Sequence, residues 1–270
     1  FGKLLQGEYN VLITSESGHA KALARELAND SYTHVVAVGG DGTLHEVING
    51  VMLSDNTNCI VGLLPFGTAN DYAKSIGSKN ELTDLIKRIN KGKTKKVNLG
   101  RISLANDKTE YFINIADIGL GVEVVQRVNR SGKLLGSSLT FSKAIIQSFL
   151  TYKNQHISVK ADGWAWEGKV NSFVVAIGKY FGSGMCIAPD ADFNGHEFSV
   201  VIIGDVTVRD YIRYIREIKK GKKIDHAAVQ YQRAGLLTIN SKSGIEADGE
   251  FVGTEPTTIK LLKERLIFLA

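Results

Sequence analysis

The stretch THVVAVGGDGTLHEVINGVM (33–52) decides the fold, because an apolar strand, a glycine-rich turn and a helix follow one another without a break. Its first half is nearly continuously apolar, which is typical of a strand covered on both faces. Beyond the glycines, apolar residues recur at helical spacing from Leu44 to Met52. CIVGLLPFGTANDYAKSIG (59–77) repeats the arrangement. Strand–helix alternation with short connections predicts a parallel sheet in a three-layer α/β domain.

The residues on either side extend this pattern. YNVLIT (9–14) is a short β-rich run, and a segment with helical spacing from Ala20 to Leu27 follows it. A further helix is predicted within NELTDLIKRINKG (80–92), where it ends at Gly92. We therefore expect three strands and their helices in the first part of the chain.

The pattern changes near residue 95, beyond which most apolar segments read as short strands separated by turns. Two stretches, 134–152 and 206–221, read instead as helices. The pattern predicts an α/β domain over 1–95, which the final run 257–270 could complete. A β-rich, sandwich-like domain is predicted over 96–256.

Composition restricts the class of protein. The chain has 270 residues, of which 43% are hydrophobic and 23% charged, as in soluble globular proteins. No apolar run reaches the roughly 18–20 residues that a membrane span needs. The two cysteines, Cys59 and Cys186, have no metal-binding or disulfide spacing, so we expect a cytoplasmic location.

The net charge is +5, and KGKTKK (91–96) and KKGKK (219–223) contribute to it. These basic clusters are either solvated loops or a means of transient attraction to an anionic membrane surface. Nucleic acid is not an expected partner, because the sequence has no helix-turn-helix, zinc-finger or RRM-like pattern.

Three turns are predicted at the carboxyl edge of the parallel sheet, where open α/β sheets bind their ligands. They are Thr14–Gly18, Gly39–Thr43 and Pro65–Asp71, and each opens a helix whose free N–H groups favour phosphate. A Walker A loop is excluded, because SGKLLG (131–136) has no first glycine and has leucine after lysine. A dinucleotide fingerprint is excluded because His45 stands where its last glycine belongs.

Asp41 places a negative charge in a turn that is expected to receive phosphate. Mg²⁺ bound through one or two carboxylates together with substrate phosphates removes this conflict. The aspartate therefore predicts a magnesium–nucleotide complex, with Asp41 acting on the metal ion or on its waters.

Both glycine-rich elements together resemble the diacylglycerol kinase catalytic-domain family, in particular its soluble bacterial lipid kinases; sphingosine and ceramide kinases are relatives. The matching segments are GGDGTLHEVINGV (39–51), LLPFGTANDYAKSIG (63–77), FINIADIGLGVEVV (112–125), IAPDADFNG (187–195) and EADGEFVGTEP (246–256). GGDGT alone is shared with NAD kinases, whereas its pairing with P-x-GTAND is specific. The resemblance implies an NAD kinase/diacylglycerol kinase-like fold, with ATP and Mg²⁺ in a cleft between the two domains. It also implies that the domain over 1–95 binds the nucleotide and that the domain over 96–256 binds the lipid substrate.

Carried over by position, the resemblance also implies functional residues. Those predicted to bind or shape the nucleotide site are Thr14, Gly39, Gly40, Asp41, Gly42, Thr43, Gly67, Thr68, Asn70 and Asp71. The D-G-E element places the general base at Asp248, with Glu250 as the second choice. Phosphoryl transfer to an alcohol needs such a carboxylate on independent grounds, since a base must accept the hydroxyl proton.

Two departures from the family pattern stand out. Relatives begin with a strand that ends in an N-P-x-S/A-G turn, and this sequence starts after that point. Relatives also carry an acidic D-G associated with a structural Mg²⁺, where this chain has Asn194 and Gly195. Asp192 is a weak substitute for it, so we do not expect that structural metal site.

The function predicted is that of an ATP- and Mg²⁺-dependent kinase that phosphorylates a hydroxyl of diacylglycerol or a similar lipid alcohol. The apolar segment 134–152 is either a core helix or a lid that reaches into a bilayer, and 179–185 is a candidate for the acceptor pocket. An NAD kinase-like enzyme and a non-catalytic nucleotide- or lipid-binding regulator are the alternatives. The acceptor lipid and the oligomeric state stay open, a homodimer being one arrangement.

Overall fold

The computed structural model describes residues 7–78, 80–130, 137–254 and 257–269. Its helices are α1 (His19–Asn29), α2 (Asp41–Met52), α3 (Asp71–Ile76), α4 (Leu82–Asn90), α5 (Leu120–Arg130), α6 (Ser137–Thr151) and α7 (Val208–Lys219). Its strands are β1 (His34–Gly39), β2 (Ile60–Pro65), β3 (Thr94–Leu104), β4 (Thr109–Phe112), β5 (Ile115–Gly119), β6 (Gln155–Ala161), β7 (Ala165–Val170), β8 (Ser172–Ala176), β9 (Tyr180–Phe181), β10 (Met185–Cys186), β11 (Phe198–Ile203), β12 (Val229–Ala234), β13 (Leu236–Ser241), β14 (Ile245–Ala247), β15 (Glu250–Gly253) and β16 (Thr257–Leu269).

The first part of the chain has the predicted α/β arrangement. Strands β1 and β2 are parallel, with Gly39 opposite Pro65, so both glycine-rich turns leave the sheet at the same edge. Helices α1 and α2 pack on each other, and α2 directs a buried stripe that includes Leu44 and Ile48 into the core. Helix α3 ends at Gly77, whose φ of 65° favours glycine.

Strand β16 joins the two parts of the chain. Phe268 pairs in parallel with Val61 of β2, while most of β16 pairs antiparallel with β3. The result is one sheet with the order β1-β2-β16-β13-β6-β7, with β3 and β4 attached through β16. The limits proposed for the two domains remain a prediction, since β3 and β16 contribute to a sheet that spans both.

The second part is a sandwich. A six-stranded sheet with the order β12-β11-β8-β5-β14-β15 packs against the β3, β6, β13 and β16 strands of the larger sheet. Alternate residues of each strand form the shared core: Phe173 and Val175 of β8, for example, point inward with Ile118 of β5. The opposite face of the six-stranded sheet lies against α5, α6 and α7.

Several predicted elements differ from the structure. YNVLIT (9–14) is not a strand: this segment is exposed, Ile13 to 86%, because no described strand pairs with it. Strand β1 is not covered on both faces either, since Val38 is 58% exposed on a strand that pairs only with β2.

Helix α5 was not predicted, because its apolar residues continue those of β5 without a polar break. Helices α6 and α7 confirm the predictions for 134–152 and 206–221, although residues 134–136 lie outside the described ranges. Helix α7 begins at a capping box, in which Thr207 and Asp210 exchange hydrogen bonds between side chain and backbone.

Candidate active site

Two glycine-rich turns meet at the carboxyl edge of β1 and β2. Gly40 lies against Gly67, and a Cβ added to Gly40 would come within 3.1 Å of the Cα of Gly67. Only glycine at both positions allows this approach of the two backbones. The structure therefore brings the GGDGT and FGTAN elements into one continuous surface of main-chain atoms.

The FGTAN turn is held by Asn70. Its Oδ1 accepts the N–H of Gly67 at 3.0 Å, and its Nδ2 donates to the carbonyl of Gly67 at 2.7 Å. Asn70 has a φ of 49°, a left-handed conformation that asparagine tolerates better than most residues. The closed turn borders a small pocket, which is also lined by Thr68 and Lys74.

Asp41 begins α2 and binds the start of α3. Its two carboxylate oxygens accept the N–H groups of Asp71 and Tyr72, at 3.0 and 3.2 Å. Burial raises the pKa of Asp41 to about 6, and the charge of Asp71 adds to that effect. The negative charge in the GGDGT turn is thus partly stabilised by the N-terminus of a neighbouring helix.

The carboxyl groups around Asp41 are the candidate protein ligands for the predicted magnesium ion. Within the described ranges, no three metal-ligating side chains form a cluster that could hold an ion. Asp41 nevertheless keeps lone pairs beyond its two hydrogen bonds, and the charges of Asp71 and Asp248 act on it. The site therefore fits a Mg²⁺ that is bound mainly by nucleotide phosphates, with one protein carboxylate, rather than a resident metal.

Asp71 connects the FGTAN turn to the second part of the chain. Its Oδ2 accepts the N–H of Ser183 at 2.9 Å, and its Oδ1 lies 3.4 Å from Lys74 Nζ. Ser183 lies in the tip of the β9–β10 hairpin. Asp71 is buried, so it positions this hairpin beside the FGTAN turn.

Asp248 lies in the turn between β14 and β15 and has a φ of 52°. Its carboxylate is buried and accepts three main-chain hydrogen bonds, from Ile113, Asn114 and Ile115, at 3.0 to 3.1 Å. His45 Nδ1 lies 3.4 Å from the same carboxylate. This set of donors means that the Asp248 carboxyl group holds the backbone between β4 and β5 in place.

His45 is a residue that the sequence reasoning did not select. It is buried between Asp248 and Glu110, and Glu110 in turn binds Lys21 of α1 at 2.8 Å. Burial alone would lower the pKa of His45, but the two carboxylates outweigh burial and raise it to about 9. The chain Lys21–Glu110–His45–Asp248 therefore links α1, α2, β4 and the β14–β15 turn.

A signal for His45 was present in the sequence. His45 and Asn49 stand four residues apart, next to the apolar stripe of α2, and therefore on the side of the helix that faces the protein. Asn49 is also buried and exchanges two 2.8 Å hydrogen bonds with the backbone of Tyr111. Polar residues at core-facing helix positions indicate such connections.

Glu250 follows Asp248 closely but lies in different surroundings. Its Oε1 is so close to the GGDGT turn that a Cβ added to Gly42 would lie 2.6 Å from it. Glu250 is partly exposed, whereas Asp248 is buried. The structure therefore places the D-G-E turn directly against the first turn of α2.

Thr14 is not brought to this site by any described hydrogen bond, and it lies in the exposed segment before α1. The N-terminus of α1 is occupied, because Glu46 accepts the N–H groups of Gly18 and Ala20 at 2.8 and 3.0 Å. The Glu46 carboxylate therefore takes two of the donors that a phosphate would use at this helix end. The role predicted for Thr14 has no support from these contacts and stays a prediction.

The turn that contains Asn194 and Gly195, where we do not expect a structural metal site, is closed by its own hydrogen bonds. Asp192 accepts the N–H groups of Asn194 and Gly195 through its side chain and its carbonyl, respectively. The carbonyl of Gly195 accepts a hydrogen bond from Asn98.

An apolar pocket of about 860 Å³, counted with its open part, lies between the six-stranded sheet and α5, α6 and α7. Val174 forms part of its floor, and Phe149 and Tyr211 cover it with rings 5.4 Å apart. Phe181 and Met185 border it, so the β9–β10 hairpin has this pocket on one side and Asp71 on the other. No helix in the described ranges is long and apolar enough to cross a membrane.

Comparison with known proteins agrees with this architecture. A Bacillus subtilis (strain 168) diacylglycerol kinase is 27% identical over 248 residues, which cover 90% of this chain and 79% of the relative. A Staphylococcus carnosus (strain TM300) diacylglycerol kinase is 23% identical, with coverage of 96% and 83%. The crystal structure of a diacylglycerol kinase from Bacillus anthracis str. Sterne aligns with a TM-score of 0.68 at 19% identity, with coverage of 96% and 83%.

Two family models match the chain in succession. The model described as diacylglycerol kinase catalytic domain matches residues 3–102. The model described as YegS C-terminal NAD kinase beta sandwich-like domain matches residues 114–270, more than half of the chain. The chain therefore belongs to the diacylglycerol kinase catalytic-domain family and is a lipid kinase.

Proposed function

We propose that this protein transfers the γ-phosphoryl group of Mg²⁺–ATP to a hydroxyl group of a lipid alcohol, with diacylglycerol as the first candidate. The observation that carries the proposal is the meeting of three turns at one place. Gly40 contacts Gly67, and Glu250 lies against Gly42. Backbone that can receive phosphate and a carboxylate are thereby close together, and the β9–β10 hairpin connects this place to the apolar pocket.

The phosphates bind to the main chain. The first N–H groups of α2 have no partner within the helix and point out of its N-terminus. Together with the turn around Gly67, they offer donors and a positive helix end to the nucleotide. Mg²⁺, when bound, would neutralise charge on the transferred group, and Asp41 is the carboxylate that would hold it.

We assign the general base to Glu250 rather than to Asp248. The oxygens of Asp248 already accept three N–H groups and face His45, away from solvent. Glu250 lies at the phosphate turn and is partly exposed. The acceptor hydroxyl gives its proton to the Glu250 carboxylate while its oxygen attacks the γ-phosphorus and ADP leaves.

The lipid chains occupy the apolar pocket, and the helices that cover it face the membrane. On α7 and its C-cap residue, the exposed residues are Arg209, Ile212, Arg213, Arg216, Lys219 and Lys220, which lie on one face of the helix. Ile212 is 61% exposed, and Leu150 on the outer face of α6 is 71% exposed. A basic face with exposed apolar side chains fits transient binding to an anionic bilayer.

Transfer of labelled γ-phosphate from Mg²⁺–ATP to a panel of lipids in mixed micelles tests the proposal, with NAD as a control acceptor. Label in a lipid phosphate is expected. Label in NAD would move the assignment to an NAD kinase-like activity. Bound ATP without transfer to any acceptor would favour a regulator.

A further inference from the structure

His45 lies between the two parts of the candidate active site. Helix α2 begins at the GGDGT turn, and His45 follows Asp41 by about one helical turn. Asp248 stands two residues before Glu250, in the turn between β14 and β15. The Nδ1 atom of His45 lies 3.4 Å from the Asp248 carboxylate. A side chain of α2 therefore contacts the turn that carries the proposed base.

Both ring nitrogens of His45 face carboxylates. Nδ1 faces Asp248, and Nε2 lies 3.5 Å from Oε1 of Glu110. Asn49 leaves Nε2 to Glu110, because its two amide hydrogens are donated to the carbonyls of His45 and Tyr111, at 2.9 and 2.8 Å. A neutral imidazole has a single donor nitrogen, so only the protonated ring donates toward both carboxylates. The geometry agrees with the raised pKa of His45.

The β14–β15 turn is fixed on its other side to the backbone between β4 and β5. The N–H of Asp248 donates to the carbonyl of Ile115 at 2.8 Å, and the Asp248 carboxylate accepts three N–H groups of the same backbone. These bonds hold the turn to the second part of the chain. The contact with His45 ties the same carboxylate to α2, in the first part of the chain.

Charges of alternating sign run through this contact. Lys21 of α1 is followed by Glu110, His45 and Asp248. The last three are buried, so solvent ions screen them only weakly. Without the cation at His45, two carboxylates would remain on either side of a neutral side chain, and like charges disfavour that arrangement. Loss of the cation should therefore loosen the turn relative to α2.

We propose that His45 is a positioning residue, which holds the β14–β15 turn at the distance from α2 at which Glu250 meets the acceptor hydroxyl beside the GGDGT turn. This inference rests on the proposed function and specifies how that function brings its base to the phosphate-binding backbone. His45 is only 4% exposed, so it acts through Asp248 rather than on a substrate. Because a misplacement of about 1 Å can lower the rate about 10²-fold, the effect should be on kcat rather than on binding.

Replacement of His45 by glutamine tests this role, because the variant keeps a polar side chain and removes the charge. At saturating Mg²⁺–ATP and lipid, kcat per folded protein should fall about 10–10²-fold, while KM for both substrates changes by less than about 2-fold. A residue that only supports the fold would lower the melting midpoint and leave kcat of the folded fraction unchanged. His156→Gln is the matched control, because His156 pairs with Glu167 at 3.5 Å on the surface.

Hydrogen–deuterium exchange of residues 245–253, which include β14 and β15, gives a readout that needs no phosphoryl transfer. We expect the amides of this segment to exchange about 10-fold faster in His45→Gln than in the unchanged protein, since an interaction with a charged group that holds the turn is lost. The edge strand β12 serves as the internal reference. His156→Gln should match the unchanged protein in both segments.

The unchanged protein supplies a further measurement, which decides the matter if the glutamine variant does not fold. Its kcat should decline as the pH rises through about 9, where His45 loses its proton, and His45→Gln should not show this decline. The groups that face His45 are Asp248 of the β14–β15 turn, Glu110 of β4 and Asn49 of α2, with Lys21 of α1 behind Glu110. The assay is run at a temperature at which the protein stays folded over the whole pH range.

Three results would overturn the positioning role. They are an unchanged kcat in folded His45→Gln, equal exchange of residues 245–253 in both proteins, and a kcat of the unchanged protein that does not decline at alkaline pH. If the unchanged protein phosphorylates no lipid, the proposed function fails. The exchange of residues 245–253 then still decides whether His45 holds the turn.

Discussion

Replacing Asp248 and Glu250 separately distinguishes a carboxylate that holds the fold from one that accepts a proton. Asp248→Ala removes the acceptor of three N–H groups that lie in buried backbone. It also leaves the protonated His45 without one of its two carboxylates. The losses are not additive, and we expect about 3–5 kcal/mol of unfolding free energy, as for breaking a buried ion pair.

Asp248→Asn is the more informative variant, because it keeps one oxygen. That oxygen can still accept from Asn114 and Ile115, while the amide nitrogen cannot accept from Ile113. We expect the unfolding free energy to fall by about 2–3 kcal/mol, which is the cost of leaving the buried N–H of Ile113 without an acceptor and of weakening the contact with the charged His45. At about 2–4 °C per kcal/mol, the midpoint of thermal unfolding should fall by roughly 4–12 °C.

Glu250→Gln should show the opposite behaviour. The side chain is partly exposed, so stability should change by no more than about 0.5 kcal/mol. Turnover with saturating ATP and lipid should fall by about 10²–10⁴-fold, the usual contribution of a general base. Thermal melts and kcat measured on the same preparations decide the matter. An Asp248→Asn protein with an unchanged melting midpoint and no turnover, beside an active Glu250→Gln protein, would refute the reasoning.

Three further outcomes are expected. Asp41 has a pKa of about 6, so kcat/KM for Mg²⁺–ATP should rise between pH 5 and 7 as this carboxyl group ionises; Asp41→Ala should raise the Mg²⁺ concentration for half-maximal rate, and an unchanged Mg²⁺ dependence would remove Asp41 from the metal site. The pKa of His45 is raised, so the stabilisation of the fold by the protonated His45 is complete below pH 6.5 and is lost as the pH rises through about 9. In chemical denaturation, His45→Gln should reduce this loss of unfolding free energy with pH. An equally steep loss in the variant would contradict this role of His45. Arg213→Glu with Arg216→Glu should weaken binding to phosphatidylglycerol vesicles at least about 10-fold, at about 1 kcal/mol for each basic residue lost; sedimentation should show little change with phosphatidylcholine vesicles, and equal binding to both lipids by the unchanged protein would contradict an electrostatic docking face.

Elements with strong local patterns could be predicted from the sequence. The apolar strand before Gly39 and the helix after it are consistent at every level, from propensity to turn chemistry. The prediction of a strand at YNVLIT (9–14) was wrong, because β propensity describes how well a segment fits beside a neighbouring strand. In the described ranges, no strand pairs with this segment. Helix α5 was not predicted, because its residues follow β5 directly. The apolar spacing of the strand and that of the helix therefore merge into one apolar run.

Of the candidate site, only the glycine-rich turns could be predicted from the sequence. Glycines that permit contact between two backbones can be recognised in the sequence, as at Gly40 and Gly67. The contact of His45 with Asp248 joins two residues that are 203 positions apart in the chain, which no local pattern contains. The proposed division of roles between Asp248 and Glu250 depends in the same way on which of the two contacts the β4–β5 backbone.

The carboxylate of Asp41 has one observed structural role and, under the proposed function, a second role toward the metal ion. This carboxylate binds the N-terminus of α3, and through Asp71 that helix is fixed to the β9–β10 hairpin beside the apolar pocket. A cation arriving with the nucleotide would compete for the same carboxylate, since each metal bond weakens its hydrogen bonds to α3. Under the proposed function, binding of Mg²⁺–ATP would be coupled to the position of the hairpin through Asp41 and Asp71. A lipid whose binding depends on the position of the hairpin would then, by reciprocity, alter the affinity for Mg²⁺–ATP by the same factor as Mg²⁺–ATP alters the affinity for the lipid.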